Sequence, residues 1–501
     1  MPRPNIIIVT TDQQRTDSLS CYGSTFTSTP NLDRMAEEGV LLERAYCTNP
    51  VCTPSRVSIF TGQQVSRHGA WNVGMSAPAE LPMISHRLSS HGYRTHYIGK
   101  AHFQAFGGTE EQTRETLKNW RERYRNWHGP YYGFESVEIA LGHATYGIAG
   151  HYGEWVETQV SPEEIEGFKS RRLADAGFGG DAHDWDLPNR LHNSVWTAER
   201  TIEFLRNHDR ESPFLLGIGF QDPHHPHAVP TNFDERVEPE DVPLPAYTEG
   251  ELEDKPPHFI EAREGRLEES DIRGEFPIAG QGNGHDFSKV SDTDARLGRA
   301  YYHSMVRLID REMGRILDFL RETGLEENTL IFFTSDHGEL LGDHGLWMKG
   351  PFHYEQLIRV PAIIRWPAGF EGGRKAQEMF SLADIVPTAL SAAGIDETGD
   401  CDGIDALPML RGEGPVRMDV LIECIDDPNG LRLKTLVTAN RKLTWYCGKE
   451  YGELYDLEKD PGEKKNLWSD AAHASERSNL MGRMMDYLEA LESRSERYSY
   501  A

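Results

Sequence analysis

The stretch "NIIIVTTDQQ", residues 5–14, decides how the rest of the sequence is interpreted. Its four β-branched residues, 6–9, form an unbroken apolar run, and two polar side chains, Asp12 and Gln13, follow closely. A short run that is apolar throughout is typical of a strand in a parallel sheet whose two faces are both covered. The stretch therefore predicts a buried parallel strand that ends in polar groups.

Two later stretches repeat this pattern. "SPFLLGIGFQDPHHPH" (residues 212–227) and "NTLIFFTSDHGE" (residues 328–339) are apolar runs that end in Asp and His. Helical patterns precede them at residues 193–207 and 294–324. This alternation predicts an α/β fold with a large, mostly parallel central sheet flanked by helices. Ligands bind outside the carboxyl ends of such strands, so we expect the three polar clusters to share one crevice.

The C-terminal part follows another pattern. Residues 441–468 are typical of a β-hairpin, and an amphipathic helix with Leu480 and Met484 on one face follows it. We therefore predict a catalytic α/β domain over residues 1–400. The prediction for residues 401–501 is a smaller α+β subdomain with a small antiparallel sheet and this helix.

Two segments interrupt the pattern of strands and helices. Residues 107–189 are rich in aromatic residues, His and Gly, and residues 238–293 are acidic and contain many Pro and Gly. Long segments with weak periodicity are often ordered binding loops, so we interpret both as excursions from the sheet.

The charge excludes several classes of partner. The chain has 501 residues, of which 52 are basic and 80 acidic, so its net charge is −28. Nucleic acids and anionic membranes would be repelled, and we expect neither as a partner. No stretch has the roughly 20 apolar residues of a membrane span, and no signal peptide is visible, so a cytoplasmic location is expected. The six cysteines form no CxxC pair, which favours free thiols.

The strand ends predict a metal site. Carboxylate, amide and imidazole side chains together suit a divalent cation such as Ca²⁺, Mg²⁺ or Mn²⁺. The candidate ligands are Asp12, Gln13, Asp336 and His337. A second pair, Asp343 and His344, lies further into the same loop, where a turn is the favoured interpretation.

The stretch "NPVCTPSRVSIFTGQ", residues 49–63, places a cysteine near an arginine. Pro54 predicts a helix that begins near Cys52, and a helix N-terminus lowers a thiol pKa and attracts anions. Arg56 adds a fixed positive charge. The residues alone allow a nucleophile beside an anion clamp, part of a metal site, or a buried thiol. A cysteine phosphatase is excluded because its loop has five residues between Cys and Arg, and here there are three.

Several motifs resemble those of type I sulfatases, the formylglycine-dependent branch of the alkaline phosphatase superfamily. "CTPSR" (residues 52–56) matches the family pattern Cys-x-Pro-Ser-Arg, and "GYRTHYIGKAH" (residues 92–102) matches a second family motif. "TPNLDRMAEEGV", "FTSDHGE" and the terminal "ELYDLEKDPGEKKNL" extend the resemblance over essentially the whole chain. The resemblance implies the alkaline phosphatase/sulfatase fold and a sulfuric ester hydrolase.

The resemblance also implies roles for individual residues. Cys52 would be oxidised to formylglycine by a formylglycine-generating enzyme, with Arg56 as its stabilising partner. Lys100, His102 and Lys349 would contact the sulfate or the hydrated aldehyde, and His224 would face the leaving group, although His225 and His227 compete for that role. One Ca²⁺ or Mn²⁺ ion would be held by Asp12, Gln13, Cys52, Asp336 and His337.

The implied reaction is metal-dependent hydrolysis of a small-molecule or saccharide sulfate ester by the formylglycine hydrate, which releases sulfate and an alcohol. Gln13 and His337 replace the Asp and Asn of the commonest family pattern. They resemble the branch that contains choline sulfatases and phosphonate monoester hydrolases. The alternatives are therefore a phosphonate monoester or phosphodiester hydrolase and, from another class, a non-catalytic protein that binds sulfated ligands. A homo-oligomer is compatible with the sequence.

Overall fold

The computed structural model describes residues 3–106, 113–144, 147–170, 182–266, 286–426 and 430–492. Its strands are β1 (Asn5–Thr11), β2 (Val40–Tyr46), β3 (Arg94–Gly99), β4 (Ser136–Ile139), β5 (Ala182–Trp185), β6 (Phe214–Gly219), β7 (His227–Pro230), β8 (Thr329–Ser335), β9 (Ala362–Arg365), β10 (Arg374–Ser381), β11 (Asp419–Asp426), β12 (Leu431–Thr438), β13 (Arg441–Tyr446) and β14 (Gly452–Asp456). Parts of the two predicted excursions, residues 107–189 and 238–293, lie outside the described ranges.

The α-helices of the described residues lie mostly between these strands. They are α1 (Pro30–Glu37), α2 (Cys52–Thr61), α3 (Val65–His68), α4 (Ile84–Ser90), α5 (Leu117–Asn119), α6 (Gly150–Glu157), α7 (Pro162–Ser170), α8 (Asn193–Asn207), α9 (His258–Arg263), α10 (Asp292–Glu322), α11 (Glu355–Ile358), α12 (Ile385–Ala392), α13 (Leu407–Leu410) and α14 (Ala474–Ala490). The two helices predicted before the second and third strands are α8 and α10.

The main sheet has the strand order β10-β2-β9-β8-β1-β6-β3-β4 among the described residues. Its neighbouring strands pair in parallel except β9, which is antiparallel to both β2 and β8. Ile6 and Ile8 of β1 belong to one hydrophobic cluster, whereas Ile7 and Val9 belong to another. Successive side chains of a strand point to opposite faces, so β1 is apolar throughout because both faces are covered. The predicted mostly parallel α/β sheet is confirmed.

The C-terminal strands form a separate antiparallel sheet in the order β11-β12-β13-β14. The predicted hairpin is β13 and β14, and the predicted amphipathic helix is α14. Leu480 and Met484 of α14 are buried against Leu421 and Leu443 of this sheet. The α+β character of this region is confirmed, and the division at residue 400 stays a prediction. No helix among the described residues is long and apolar enough to cross a membrane.

Six buried histidines make the stability of this fold sensitive to acid. Burial is the first cause that lowers their pKa values, to about 3 for His68, His192, His227 and His353 and to about 4 for His151 and His258. His68 shows the reason locally, because its Nδ1 accepts the backbone N–H of Ala70 at 3.1 Å and cannot carry a proton there.

We therefore expect the free energy of unfolding to fall as the pH drops from 7.5 to 5. An unfolded histidine titrates near pH 6.5, so the unfolded state binds more protons below that pH, at about 1.4 kcal/mol per pH unit and proton. Asp222 and Asp310 oppose this trend, because burial raises their pKa values to about 7 and about 6, but they are fewer. Urea unfolding at both pH values measures the slope. His68→Gln should reduce the slope of the unfolding free energy against pH by the contribution of about one proton. A stability independent of pH would contradict the prediction.

Candidate active site

The ends of β1, β6 and β8 place the predicted polar clusters at one edge of the sheet. Thr11 lies opposite Ser335 in the parallel register of β1 and β8, so Asp12 and Asp336 leave the sheet at the same level. The backbone N–H of Asp12 donates to the carbonyl of Asp222, 3.1 Å away, which ties the end of β6 to the end of β1. The three strand ends therefore line one crevice.

Cys52 is the first residue of α2 and lies at the centre of this crevice. Its side chain is buried, and Sγ lies 2.8 Å from Nζ of Lys349, 3.3 Å from Nε2 of His337 and 3.6 Å from Oδ1 of Asp12. The residue before it, Val51, is extended and no side chain of the described residues caps the helix, so the N–H groups of Cys52 and Thr53 have no partner within the helix. A helix N-terminus and an ammonium group both favour negative charge at this position.

The electrostatic surroundings favour the thiolate of Cys52. Burial and the neighbouring Asp12 act to raise the thiol pKa, but Lys100, Lys349 and His337 outweigh them and lower it to about 5. All six cysteines lie in the described ranges and are free, as the sequence predicted. Burial raises the pKa of Cys47 well above its ordinary value and that of Cys424 likewise, so Cys52 differs from its buried counterparts.

Arg56 lies one turn after Cys52 on α2 and is fully buried. Its Nε donates to Oδ2 of Asp336 at 2.7 Å, Nη1 donates to the carbonyl of Lys100 at 2.8 Å, and Nη2 lies 3.8 Å from Asp12. Burial would lower the pKa of the guanidinium, but Asp336 and Asp12 raise it further above its usual range. The predicted partner of Cys52 thus binds the carboxylates around it.

Asp12 contacts Lys100 and His143 on the other side of the crevice. Nζ of Lys100 donates to its Oδ2, and Nε2 of His143 lies 3.2 Å from the same oxygen. Burial would raise the pKa of the Asp12 carboxyl, but Lys100, His224 and His143 hold it well below its ordinary value. Asp12 is therefore an anion at neutral pH although its side chain is fully buried.

Gln13 has one free oxygen beside these carboxylates. Its Nε2 donates to Oε2 of Glu339, whereas its Oε1 is buried and has no hydrogen-bond partner among the described residues. The backbone N–H of Gln13 donates to Oδ1 of Asp336 at 3.0 Å. A buried oxygen without a partner is energetically unfavourable unless a cation or a donor satisfies it.

His337 presents its second ring nitrogen to the same place. Nδ1 lies 2.8 Å from the carbonyl of Gly338, so Nδ1 carries a proton there and Nε2 is the nitrogen left to face a cation. Nε2 is 3.8 Å from Asp12 and 3.7 Å from Asp336. The ligand atoms of Asp12, Cys52, Asp336 and His337 all lie within 4.8 Å of one another. With the free oxygen of Gln13, this set fits one divalent cation.

Of the three candidate histidines after β6, His224 faces the crevice. Its Nε2 lies 2.9 Å from Nζ of Lys349. Nδ1 of His225 lies 3.5 Å from Gln13, whereas His227 packs edge-on against Tyr302 of α10. His224 and His225 therefore both border the crevice, whereas His227 lies against α10, and the choice of His224 stays a prediction.

Lys349 lies between His224 and Cys52. Its Nζ contacts Cys52 and His224, and it lies 3.4 Å from His337. Burial would lower the pKa of this ammonium group, but Cys52 and Asp12 raise it above its ordinary value. Lys349 is therefore positively charged at neutral pH.

His102 is held by a residue that the sequence did not reveal. It has a left-handed backbone, φ 55°, and buried Glu115 accepts the backbone N–H groups of His102, Phe103 and Gln104 at 2.8, 2.9 and 3.2 Å. Three such bonds fix the turn and keep His102 in a conformation that residues other than glycine rarely adopt.

The competing pair Asp343 and His344 lies outside this cluster. Oδ2 of Asp343 accepts from Arg15 at 2.6 Å, and Nδ1 of His344 contacts Glu251 at 2.9 Å. Both residues lie in the short helical turn Asp343–Gly345, as the sequence interpretation favoured.

His143 is the main site residue that sequence reasoning missed. It lies between β4 and α6, in the segment interpreted as an excursion, and carries no motif. Its ring stacks on that of His224, with the centroids 3.7 Å apart. A single histidine after "IALG" gives no signal by type or spacing, and only the folded chain shows the contact.

A cavity opens beside the cluster. Its volume is about 230 Å³, and Val73, Phe106 and Leu141 line it together with Lys100 and His102. A larger cavity of about 490 Å³ is lined by residues that include Arg15 and Tyr46. Cys52 lines neither cavity, but Lys100 and His102 line the smaller one, which is therefore the candidate space for a substrate group beside the cluster.

The fold and the site define a class: proteins of the alkaline phosphatase/sulfatase type, with a mostly parallel sheet and a buried cysteine at a helix N-terminus beside ammonium groups. Comparison with known protein families specifies it further. Residues 4–395 match the family model "Sulfatase", and residues 342–490 match "N-sulphoglucosamine sulphohydrolase, C-terminal". The chain therefore belongs to the sulfatase family, and the predicted enzyme class, a sulfuric ester hydrolase, is confirmed.

Individual relatives are similar over nearly the whole chain. An arylsulfatase of Clostridium perfringens is 28% identical over 99% of this chain and 96% of its own length. A choline-sulfatase of Rhizobium meliloti is 27% identical over 93% of this chain and 82% of its own. The crystal structure of a phosphonate monoester hydrolase of Agrobacterium radiobacter superimposes with a TM-score of 0.80 at 25% identity, over 98% of this chain and 96% of that one. The predicted fold is therefore confirmed.

Proposed function

We propose that this protein hydrolyses sulfate esters to sulfate and an alcohol, with a nucleophile made from Cys52 and one bound divalent cation. The observation that carries the proposal is the position of Cys52, whose Sγ lies 2.8 Å from Lys349 at the first turn of α2. An ammonium group and a helix N-terminus around a single reactive position are what an anionic ester requires.

The cation would be Ca²⁺ or Mn²⁺, held by Asp12, Gln13, Asp336 and His337 together with residue 52. The unpartnered Oε1 of Gln13 and the close approach of the other ligand atoms support this set. When bound, the ion would supply Lewis acidity and favour deprotonation of a hydroxyl at neutral pH.

Residue 52 would act after conversion to formylglycine, for which a formylglycine-generating enzyme is the expected partner. The hydrate of that aldehyde offers two hydroxyl groups on one carbon, one to attack sulfur and one to expel sulfate afterwards. Arg56, bound to Asp336 at 2.7 Å, would hold the carboxylate in place beneath this position.

Two lysines would stabilise the charge of the transferred group. Lys100 and Lys349 approach the crevice from different strand ends, and both are buried or half-buried. Ammonium groups in a site from which water is excluded stabilise developing charge more strongly than in water. Together with the cation, they match the three nonbridging oxygens of a sulfate monoester.

Two histidines would move protons. His224 would pass a proton from Nε2 to the departing alcohol oxygen. Its Nδ1 donates to the carbonyl of His225, so Nε2 accepts from the ammonium group of Lys349, 2.9 Å away, and that group would supply the proton. His102 is the proposed base of the second half-reaction, in which it takes the proton of the remaining hydroxyl while the C–O bond to sulfate breaks and the aldehyde re-forms. Nδ1 of His102 is buried without a partner among the described residues, so its ring can accept one.

A second candidate function is hydrolysis of phosphonate monoesters or phosphodiesters. It is favoured by the similarity to the phosphonate monoester hydrolase of Agrobacterium radiobacter and by Gln13 and His337 at the proposed metal site. A sulfate monoester and a phosphonate monoester carry the same single negative charge. The phosphonate has an organic group in place of one nonbridging oxygen, so the number of oxygens contacted separates the two functions.

The test compares an aryl sulfate with the phenylphosphonate ester of the same phenol. Protein whose Cys52 is converted, as intact mass shows, is assayed with added Ca²⁺ or Mn²⁺. We expect kcat/KM to be about 10²-fold or more higher for the sulfate, because the phosphonate leaves a lysine or metal contact unmatched. A ratio reversed in favour of the phosphonate would support the second function. Binding of sulfated ligands without turnover of either ester would support a non-catalytic protein.

A further inference from the structure

His143 contacts three charged or reactive groups of the crevice. Its Nε2 approaches Nζ of Lys100 and lies 3.2 Å from Oδ2 of Asp12, and its side chain is 19% exposed. Its imidazole also stacks on His224 with an angle of 7° between the ring planes. No other residue between β4 and α6 makes comparable contacts among the described ones.

The ring of His224 lies between two other imidazoles. The centroid of His143 is 3.7 Å from that of His224, and the centroid of His225 is 4.1 Å from it. No ring contact joins His143 to His225 among the described residues. The two rings therefore cover opposite faces of His224, so that it cannot tilt out of its plane without displacing one of them.

Hydrogen bonds fix the same ring within its plane. Nδ1 of His224 pairs with the carbonyl of His225, and Nε2 is 2.9 Å from Nζ of Lys349. These two bonds leave rotation about the line between the nitrogens unrestrained, and the stack with His143 opposes that rotation. The orientation of Nε2 toward a substrate thus depends on both sets of contacts.

The same residues do not form a second cation site. Ligand atoms of Asp12, His143 and His224 lie within 4.8 Å of one another, a spacing that a metal ion could bridge. This group shares Asp12 with the proposed metal site, so a dication here would lie close to the first one and be repelled by it.

We propose that His143 is a positioning residue that holds the ring of His224 so that Nε2 faces the leaving oxygen. The proposal rests on the proposed function, because it assigns His143 to the leaving-group side of the same reaction. His143 acts through His224 and through its contact with Lys100. A donor displaced by about 1 Å can lose on the order of 10²-fold in rate.

The test uses aryl sulfates whose phenols have different pKa values, together with an alkyl sulfate. Poor leaving groups need a proton from His224, whereas nitrophenolates leave without one. We expect His143→Ala to reduce kcat/KM about 10²-fold more for the poorest leaving group than for the best. His143→Phe keeps an aromatic ring on His224. Its dependence on the leaving group should therefore stay close to that of the unsubstituted protein, while the rate falls by a similar factor for all substrates.

Two comparisons make the result decisive. In the background of His224→Ala, adding His143→Ala should not steepen the dependence on leaving group any further, because both changes remove the same step. His128→Ala removes another stacked histidine, whose ring centroid lies 4.3 Å from that of His151. It should leave the dependence of kcat/KM on the leaving group unchanged.

A uniform loss over all substrates in His143→Ala, at unchanged thermal stability, would overturn the proposal. If His143→Ala fails to fold, His143→Phe and His143→Gln decide it: the proposal requires the dependence on leaving group to differ between them. Absence of turnover in the unsubstituted protein would instead refute the proposed function.

Discussion

Cys52→Ala is expected to lose sulfate ester hydrolysis by a factor on the order of 10⁵ or more, the scale seen when an enzyme loses its nucleophile. Sγ of Cys52 is the atom on which Lys349, His337 and Asp12 converge, and no other side chain of the described residues is contacted by all three. The variant retains the pocket charges, so binding of sulfate should persist while turnover is lost.

Cys52→Ser separates the geminal diol from a simple hydroxyl. A serine at this position offers an oxygen that can attack sulfur, but it has no second hydroxyl on the same carbon to expel the sulfate. We expect the variant to complete at most one turnover. Rapid-quench assays with intact mass spectrometry measure it, and steady turnover by either variant would contradict the assignment of residue 52.

Cys424→Ala is the matched control for both variants. Cys424 lies in β11 and is 3% exposed, comparable with Cys52 at 1%. Its removal should lower the melting temperature slightly through lost packing and leave kcat unchanged. Comparison of the three proteins therefore separates the effect of a lost buried thiol from the effect of a lost nucleophile.

The strands that carry the site could be predicted from the sequence because their signal is local. In the run from Ile6 to Val9, the side chains that point to either face of the strand are apolar. That pattern is typical of a strand whose two faces are both covered. The helix α8 begins and ends where its apolar periodicity does. The motif residues Asp12 and Asp336 then follow at the same sheet edge because the strands are parallel.

The contacts of His143 and Glu115 could not be predicted, since neither residue is part of a periodic pattern. Glu115 acts by accepting backbone N–H groups, which any residue type supplies, so sequence letters do not record the interaction. His143 acts through a ring stack formed between segments about 80 residues apart in the chain. Such contacts depend on the tertiary arrangement of loops.

The structural role of Arg56 could not be predicted from the sequence either. The spacing in "CTPSR" suggests a partner for Cys52, but one helical turn directs the guanidinium below the thiol, onto Asp336 and the carbonyl of Lys100. The side chains of Arg56 and Asp336 are both fully buried. A charge pair of this kind can be assigned a structural role only when its burial is known.

Arg56→Met is expected to lower the free energy of unfolding by about 3–5 kcal/mol, because it leaves the buried carboxylate of Asp336 without its partner. Asp336 would keep only the backbone donors of Gln13 and His337, at 3.0 and 2.9 Å. Activity should fall as well, by about 10- to 100-fold, since the carboxylate loses its fixed orientation at the proposed metal site.

The double variant Arg56→Met/Asp336→Asn distinguishes the two losses. With both charges removed, the buried pair becomes neutral, and most of the lost stability should return. Activity and bound metal, measured by elemental analysis, should stay low because a proposed ligand is gone.

Arg417→Met is the matched control. Arg417 and Asp384 form another buried pair, with side chains 3% and 0% exposed, outside the crevice. It should destabilise the fold to a similar extent, about 3–5 kcal/mol, with kcat unchanged. Full activity in the double variant would show that the pair serves only the stability of the fold.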